Sequence, residues 1–273
     1  MSEKPASGGP RPWFAGSLSA VLFPDQCRLC ERPLRAFSSA PVCSACLETV
    51  LPAAAPYVCV CCGLPFESAA PLHGVDRCGL CRLRTYAFDQ ARGFGVYEGS
   101  LRRLIHLLKY DKMRPLARPL AACMAKRLVE LGPADVIVPV PLFVLRKWRR
   151  GFNQADVLAS ALSQESGIPW SRRILRRVRA TPPQVGLSHR QRRLNLAGAF
   201  AVRAGVAVRG RNVLLVDDVM TTGATLDACA RVLKAAGAAR VTGLTAARAK
   251  RRLIDGSELS ASAGSLLRGS KQR

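Results

Sequence analysis

The fold is decided by one stretch of the sequence, Val213-Leu214-Leu215-Val216-Asp217-Asp218-Val219-Met220-Thr221-Thr222-Gly223-Ala224-Thr225. Its first four residues are apolar and predict a buried strand that ends in two carboxylates. A turn rich in threonine and glycine follows, and then a helix is predicted from about Gly223 to Ala236, ended by Gly237. A strand, a polar turn and a helix in this order are the building unit of an α/β fold.

The turn has the composition of a phosphate site. A helix N-terminus presents unpaired N–H groups and the positive end of the helix dipole, which together hold an anion. Gly223 allows close approach of the backbone, and the threonines of the Thr221–Thr225 turn add hydroxyl donors. Asp217 and Asp218 suit two vicinal sugar hydroxyls or a Mg²⁺ ion. The pattern therefore predicts a ligand with a phosphate and a ribose, whereas an ordinary acidic turn would leave the paired acids unexplained.

The length of the chain limits the number of its domains, and the distribution of charge indicates the class of its ligands. Its 273 residues suit one ordinary domain with a small module, or two domains, and an apolar content of 49% is enough for a sizeable core. Residues 1–90 hold 8 lysines and arginines against 7 acids, whereas residues 91–273 hold 34 against 11. The excess positive charge thus lies in the second part, and it favours polyanions such as nucleotides or nucleic acid.

Nine of the eleven cysteines lie between Cys27 and Cys81. Eight of them form C-x2-C turns, and two such turns can direct four thiolates at one structural zinc ion. We assign one site to Cys27, Cys30, Cys43 and Cys46, and a second to Cys59, Cys62, Cys78 and Cys81. A crossed arrangement satisfies the same spacing, and His73 is an alternative ligand. Thiol exchange is the competing interpretation, which four regularly placed pairs disfavour.

The rest of the chain predicts alternating strands and helices. A strand is predicted within Phe88–Tyr97, then a helix with Ser100 as N-cap and an apolar stripe that leaves Lys109 outside it. Further predictions are a helix over Leu116–Leu131, a strand over Asp135–Leu142, a helix over Asn153–Ser166 and a strand over Arg240–Ala247.

Two basic segments are candidate polyanion sites. The first includes Trp148, Arg150 and Phe152, and it follows a strand end, where α/β proteins bind ligands. The second, Ser171–Phe200, has no carboxylate and is predicted to contain a mobile turn over Thr181–Ser188. Such a loop can close over a polyphosphate or hold a single strand of nucleic acid. Trp148 and Phe152 of the first segment are then available for stacking on bases. His189 of the second segment is a candidate acid or base. The candidate cations of the second segment are Arg172, Arg173, Arg176, Arg177, Arg190, Arg192 and Arg193.

The termini carry no recognisable targeting segment. Met1–Pro12 is polar, and Trp13–Pro24 is apolar over too few residues to span a bilayer. We therefore expect a cytoplasmic chain with reduced cysteines and no membrane span.

The acidic stretch resembles the PRPP (5-phosphoribosyl 1-pyrophosphate) signature of type I phosphoribosyltransferases. The resemblance implies that Asp217 and Asp218 bind the ribose hydroxyls with Mg²⁺, and that Thr221, Thr222, Gly223, Ala224 and Thr225 hold the 5′-phosphate. It also places a pyrophosphate loop, often with a strained or cis peptide, at Val140, Pro141 and Leu142, near Arg150. Arg150 and Asp218 are the catalytic candidates. Thr221 stands where purine salvage enzymes of the 6-oxopurine class usually carry a further aspartate, which argues against that chemistry.

From Cys27 to about Ala247 the chain is similar to the ComF family, also described as GntX-like competence-associated proteins. The similarity is carried by the cysteine pairs, by Tyr97-Glu98-Gly99-x-Leu101-Arg102-x-Leu104-Ile105-His106, by Arg150-Gly151-Phe152-Asn153-Gln154, by the Thr181–Arg193 segment and by the PRPP signature.

This resemblance implies a double zinc ribbon followed by a phosphoribosyltransferase-like parallel sheet flanked by helices. The expected division is 1–17 flexible, 18–88 zinc ribbon, 89–250 phosphoribosyltransferase-like domain and 251–273 disordered basic tail. It implies a PRPP-binding, phosphoribosyltransferase-like protein that acts in competence or DNA utilisation on an unknown acceptor, with other competence or DNA-processing proteins as partners. The alternative is a non-catalytic protein that binds single-stranded DNA and has PRPP as a regulatory ligand.

Overall fold

The computed structural model describes residues 26–34, 40–72, 74–83, 86–143, 151–181 and 189–250. The cysteine-rich region contains little regular structure, as expected for a segment built around metal-binding turns. Strands β1 and β2 pair antiparallel, and a short 3-10 turn at Ala70–Leu72 follows them. The elements of this region are α1 (Ser44–Glu48), β1 (Tyr57–Val58), β2 (Pro65–Phe66) and α2 (Gly79–Leu83).

A four-stranded parallel sheet forms the centre of the rest of the chain. Its strand order is β3-β8-β7-β4, and each pair of neighbours is parallel. The predicted α/β fold class is therefore confirmed. The elements are β3 (Gln90–Val96), α3 (Gly99–Tyr110), α4 (Ala117–Ala125), β4 (Val136–Pro139), α5 (Gln154–Ser166), β5 (Leu175–Arg177), α6 (His189–Leu196), β6 (Phe200–Val202), β7 (Asn212–Met220), α7 (Ala224–Ala235) and β8 (Arg240–Arg248).

Each face of the sheet has its own apolar core. Leu214 and Val216 of β7 point to the face covered by α3, α4 and α5, whereas Val213 and Leu215 point to the face covered by α7. Alternation of side chains along the strand produces this division. The face covered by α3 is called the α3 face below, and the other is called the α7 face.

The two cysteine groups lie on opposite faces of the sheet. The first group, Cys27, Cys30, Cys43 and Cys46, packs into the α3-face core, and the second group, Cys59, Cys62, Cys78 and Cys81, packs into the α7-face core. Between them the chain runs along the edge strand β3, where Ala53 N–H donates to Phe94 O (2.7 Å) and Ala91 N–H donates to Cys61 O (2.8 Å). The cysteine-rich region thereby covers a sheet edge that would otherwise be open to pairing.

Several predicted elements differ in the structure. Helix α3 is capped by Glu98 rather than Ser100, and the predicted helix over Leu116–Leu131 divides into α4 between 3-10 turns at Arg114–Leu116 and Leu128–Glu130. Strand β4 ends at Pro139, because prolines cannot donate to the sheet ladder. Helix α5 confirms its prediction, since the side chain of Asn153 accepts from Ala155 N–H (3.2 Å).

The arginine-rich segment contains regular structure on both sides of the predicted turn, which the sequence did not indicate. Strand β5 pairs antiparallel with β6, and helix α6 lies between the two strands in the sequence. Ile174, Leu175 and Phe200 are buried, so apolar residues scattered among the arginines anchor this hairpin on the α7 face. Trp148, Arg150, His73, the turn over 182–188 and both predicted terminal segments lie outside the described residues.

None of the described helices is long and apolar enough to cross a membrane. The division of the chain between residues 88 and 89 stays a prediction.

Candidate functional site

The two acids at the tip of β7 lie in different environments. Strand β7 continues to Met220, so Asp217 and Asp218 are part of the strand rather than beyond its end. Asp218 points to the α3 face, where one carboxylate oxygen lies 2.9 Å from Lys109 Nζ in a largely buried ion pair. Asp217 follows Val213 and Leu215 toward the α7 face. The acids therefore reach toward the two sides of the strand tip.

Asp217 has a perturbed pKa. Withdrawal from water and the adjacent negative charge of Asp218 raise its pKa to about 7, while the N–H of Asp218, which donates to Asp217 Oδ1 (2.9 Å), and the charges of Lys109 and Arg177 partly oppose the rise. A carboxyl group in this state is poised to exchange its proton for a cation near neutral pH.

Lys109 is a site residue that sequence reasoning missed. Burial acts to lower its pKa, but the carboxylates of Asp218 and Asp217 outweigh burial and raise it, so the ammonium stays charged. Lys109 lies outside the apolar stripe of its helix, but only 14% of its side chain is exposed because it packs against Asp218. The available signal was its position four residues after Ile105, at the border of the apolar stripe.

The turn after β7 has the geometry of an anion site. Gly223 caps helix α7 with a φ of 77°, which favours glycine, and the hydroxyl of Thr222 accepts from Ala224 N–H (3.3 Å). The carbonyl oxygens of Thr221 and Thr222 point away from the helix end, toward Arg248 and Tyr86. The first turn of α7 is left with N–H groups that lack intrahelical partners.

The residues predicted as the pyrophosphate loop follow the neighbouring strand β4, beside Val216 of β7. Val140 N–H donates to Val216 O (2.9 Å), and Asn153 Nδ2 donates to Val140 O (3.0 Å). Asn153 therefore both caps α5 and holds the segment that begins at Val140. No peptide bond in the described part of the chain is cis. The assignment of Val140, Pro141 and Leu142 stays a prediction, and Arg150 lies outside the described residues.

The cysteine groups fit structural zinc. Within each group of four, the sulfur atoms all lie within 4.8 Å of one another. Cys30 Sγ and Cys43 Sγ are 3.7 Å apart, as are Cys62 Sγ and Cys78 Sγ, which is too far for a disulfide and close to the roughly 3.8 Å edge of a tetrahedron with Zn–S bonds of about 2.3 Å. The groups are those expected from consecutive pairing, and four sulfurs leave no position for a catalytic water.

Backbone N–H groups also point at the sulfurs. Cys43 N–H donates to Cys27 Sγ (3.3 Å), and Cys78 N–H donates to Cys59 Sγ (3.3 Å). For Cys27, burial alone would raise the pKa, but N–H donors outweigh it and lower the pKa to about 6. In each group one cysteine sulfur thus accepts backbone N–H donors, which favour the thiolate, the form that binds metal.

Comparison with known proteins identifies the family. The model of the phosphoribosyl transferase domain matches residues 116–258, just over half of the chain. The DNA utilization protein YhgH of Salmonella typhimurium is 38% identical over 227 residues, which are 81% of this chain and 96% of YhgH. Competence protein F of Haemophilus influenzae is 39% identical over 169 residues, 59% of this chain and 74% of that protein. The chain belongs to the ComF family of phosphoribosyl transferase domain proteins.

Among solved structures, adenine phosphoribosyltransferase from Leishmania tarentolae superposes on 55% of this ComF chain and 64% of its own, with a TM-score of 0.33 and 16% identity. The superposition is weak, so the description of the site depends on the residues themselves.

The predicted polyanion arginines of this ComF chain divide into two sets. Arg172, Arg173 and Arg176 are exposed, and Arg172 makes only a long ion pair with Asp156 (3.8 Å). Arg177 is half-buried on the ring of Phe200 and donates to Thr181 Oγ1. Its positive charge partly opposes the rise in the pKa of Asp217. Arg177 thus belongs to the surroundings of the acids. Arg190, Arg192 and Arg193 lie on helix α6, as does His189.

Phe152 is not available for base stacking, which corrects the prediction. It is 5% exposed, and the guanidinium of Arg114 lies 4.9 Å from its ring centroid. A large cavity of about 1480 Å³ lies elsewhere, between the cysteine-rich region and the start of α3, and its lining includes Leu51, Phe66 and Leu101 but neither of the paired acids. The candidate site is therefore the open tip of β7, not this cavity.

Proposed function

We propose that this ComF-family chain binds PRPP with Mg²⁺ at the tip of β7 and transfers its phosphoribosyl group to an acceptor, with release of pyrophosphate. The observation that carries the proposal is the continuous run of two acids, a threonine turn and a glycine-capped helix N-terminus. Each part matches one part of the ligand: acids for sugar hydroxyls and Mg²⁺, and N–H groups and hydroxyls for the 5′-phosphate.

In the proposed reaction the bond between the anomeric carbon and pyrophosphate breaks, and a bond to the acceptor forms. The acids stabilise the positive charge that develops on the ribose, and cationic side chains near the site stabilise the departing pyrophosphate. Mg²⁺ held by Asp217 and Asp218 would supply further charge neutralisation for the pyrophosphate. Arg177 lies on the side of Asp217, and Arg150 is the candidate in the sequence beside the pyrophosphate loop. Asp218 is the further catalytic candidate, since its carboxylate lies at the strand tip.

Ligand binding has to exchange the partner of Asp218. In the structure this carboxylate is paired with Lys109, so Mg²⁺ or a ribose hydroxyl must either displace the ammonium or bind the second carboxylate oxygen. We propose this exchange as the step that readies the site.

The names of the relatives, a DNA utilization protein and a competence protein, support a proposed role of the chain in the handling or use of DNA in the cytoplasm. We propose that residues 18–88 hold two structural zinc ions and that residues 89–250 carry the PRPP site. Competence or DNA-processing proteins are the proposed partners.

A second candidate function is binding of single-stranded DNA, with PRPP as a regulator. The observation that favours it is the exposed set Arg172, Arg173 and Arg176 on the β5 side of the α7 face. Replacing all three by alanine should weaken binding of a short single strand and lower the slope of log affinity against log salt by about 2, at about 0.7 per neutralised phosphate. An unchanged slope would exclude these arginines.

The PRPP proposal is tested by calorimetric titration with PRPP and Mg²⁺. The double variant Asp217→Asn/Asp218→Asn should lose binding, while its affinity for a single DNA strand stays within about threefold of wild type, a margin below 1 kcal/mol. Asp135→Asn is a matched control, because Asp135 lies at the opposite end of the sheet, where it accepts from Asn212 N–H (2.7 Å). Normal PRPP binding by the double variant would reject the assignment.

Transfer itself is tested by pyrophosphate release from PRPP in the presence of bases, nucleosides and short single strands. Release that depends on one acceptor class and is absent in the double variant identifies an enzyme. Binding of PRPP without release by any acceptor favours the regulatory alternative.

A further inference from the structure

Arg248, the last residue of β8, joins the second cysteine group to the phosphate turn. The side chain is buried, with 4% exposure, and its guanidinium donates to Cys62 O (3.2 Å), to Met220 O (2.9 Å) and to Thr221 O. One planar cation therefore holds a carbonyl of the cysteine group and two carbonyls that lead into the turn.

The position of this cation has an electrostatic reason. Arg248 Nη2 lies 3.8 Å from Cys62 Sγ. Four thiolates around one Zn²⁺ leave a net negative charge, so the second cysteine group supplies the counter-charge that a buried guanidinium requires. Gly93 on β3 makes the space, because a Cβ there would lie 2.8 Å from Arg248 Cβ.

A second connection runs through Tyr86, which follows the last cysteine of the group by five residues. Its hydroxyl donates to Thr222 O (3.0 Å), and its ring stacks on Phe88 with centroids 4.6 Å apart. Both rings lie 3.5 Å from the position of a Cβ on Gly223. The next residue, Ala87, donates its N–H to Asp227 in the first turn of α7 (2.7 Å).

The two connections act on consecutive carbonyls. Arg248 and Tyr86 hold the carbonyl oxygens of Thr221 and Thr222, while Met220 O accepts both from Arg248 and from Ala249 N–H (3.0 Å), directly after β8. A peptide plane whose carbonyl is held in one direction presents the N–H of the next residue in the opposite direction. The bound carbonyls of Thr221 and Thr222 therefore direct the amides of Thr222 and Gly223 away from Arg248 and Tyr86.

We propose that the second cysteine group, loaded with zinc, holds the phosphate turn in its anion-binding conformation, with Arg248 and Tyr86 as positioning residues. The proposal deepens the PRPP-binding function and depends on it for its consequence, although the bracing itself is a property of the ligand-free chain. No comparable link joins the first cysteine group to the turn among the contacts of the described residues.

Two readouts test the proposal on the full chain: hydrogen exchange of the amides in 221–225 without ligand, and calorimetric affinity for PRPP with Mg²⁺. Arg248→Met should accelerate exchange of this segment and weaken PRPP binding by about tenfold or more, since it removes hydrogen bonds from a charged donor. Tyr86→Phe keeps the stacked ring and loses one hydroxyl, so about a fivefold change is expected. Arg240→Met is the matched control at the other end of β8, and it should leave both readouts unchanged.

The zinc content and the rest of the sheet separate positioning from general destabilisation. Arg248→Met should retain about two metals per chain, with faster exchange limited to the phosphate turn. Unchanged exchange of 221–225 in both Arg248→Met and Tyr86→Phe would overturn the proposal, as would equal acceleration throughout β7 and β8. If Arg248→Met does not fold, Tyr86→Phe decides. If wild type does not bind PRPP, the proposed function fails, while hydrogen exchange still decides whether the bracing exists.

Discussion

The two cysteine groups offer the same ligands to the metal but differ in what they hold. All four cysteines of the second group are buried, whereas only Cys27 is buried in the first group. On the α7 face, buried hydrogen bonds run from the second group through Arg248 to the phosphate turn. On the α3 face, the residues around the first cysteine group contact α3 through solvent-exposed hydrogen bonds. Examples are the bond between Thr49 Oγ1 and Ser100 Oγ (2.8 Å) and the bond from Arg103 to Arg28 O (3.5 Å).

The difference shows how two sets of the same four side chains serve two purposes. The first group anchors the chain against the helices and completes the cover over the edge strand β3. The second group does the same on its own face and in addition fixes the backbone that would bind phosphate. Each face also holds one of the paired acids: Asp218 with Lys109 on the α3 face, and Asp217 near Arg177 on the α7 face.

The difference between the two cysteine groups is tested most directly by replacing one cysteine in each group. Cys78→Ser should reduce the zinc content from about two to about one per chain and lower the free energy of unfolding by on the order of 5 kcal/mol, because the metal supplies folding energy. Its PRPP affinity should fall with it. Cys43→Ser should also lose one metal, yet change PRPP affinity by less than about threefold. Elemental analysis, urea unfolding and calorimetry give the three quantities, and equal losses of affinity would show that the groups do not differ.

On the α3 face, Lys109→Met should leave the charge of Asp218 buried without its partner and destabilise the fold by about 3 kcal/mol, because an unpaired buried charge is costly. The double variant Lys109→Met/Asp218→Asn should recover most of this loss in urea unfolding. A single variant that is as stable as wild type would mean that the ion pair does not form.

On the α7 face, the raised pKa of Asp217 predicts a dependence on pH. The folded state holds a proton on this carboxyl up to about pH 7, whereas the unfolded chain releases it near pH 4, so stability should fall as pH rises between these values, by at most about 1.4 kcal/mol per unit. Binding of PRPP with Mg²⁺ should strengthen over the same window, since the cation displaces the proton. Both trends should disappear in Asp217→Asn, measured by unfolding and calorimetry at pH 5 and 7. Retained trends would assign them to another group.

The smallest effect is expected at the exposed contact of the first group region with α3. Thr49→Val removes the hydroxyl bond to Ser100 and should lower stability by about 0.5–1 kcal/mol, with no change in PRPP affinity. A clear loss of affinity in calorimetry would show that the first group also reaches the site.

Local sequence patterns were sufficient to predict the main elements of the fold. The apolar run before Asp217, Gly223 at the start of α7 and the C-x2-C turns each act over a few residues, so the sequence predicted the strand, the helix and the two cysteine groups. Asn153 was likewise identifiable as the start of α5. These features depend on propensities and spacing that tertiary contacts do not reverse.

Long-range contacts could not be predicted in the same way. Lys109 reaches Asp218 across 109 positions of sequence, and Arg248 reaches Cys62 across 186. The short strand β5 was hidden because Leu175 stands among arginines and only its pairing with β6 makes it regular. Asp217 and Asp218 lie in different surroundings because β7 continues to Met220 and its side chains alternate between the two faces. The apolar run alone did not indicate this continuation of the strand.

The central claim is tested most directly by a crystal structure of the chain grown with PRPP and Mg²⁺. The account predicts the 5′-phosphate at the N–H groups of Thr222–Thr225 and the ribose hydroxyls or Mg²⁺ at Asp217 and Asp218, with Lys109 moved from its place on Asp218 or sharing it. A structure with ligand bound elsewhere, with these amides turned inward and Asp218 still held only by Lys109, would contradict it.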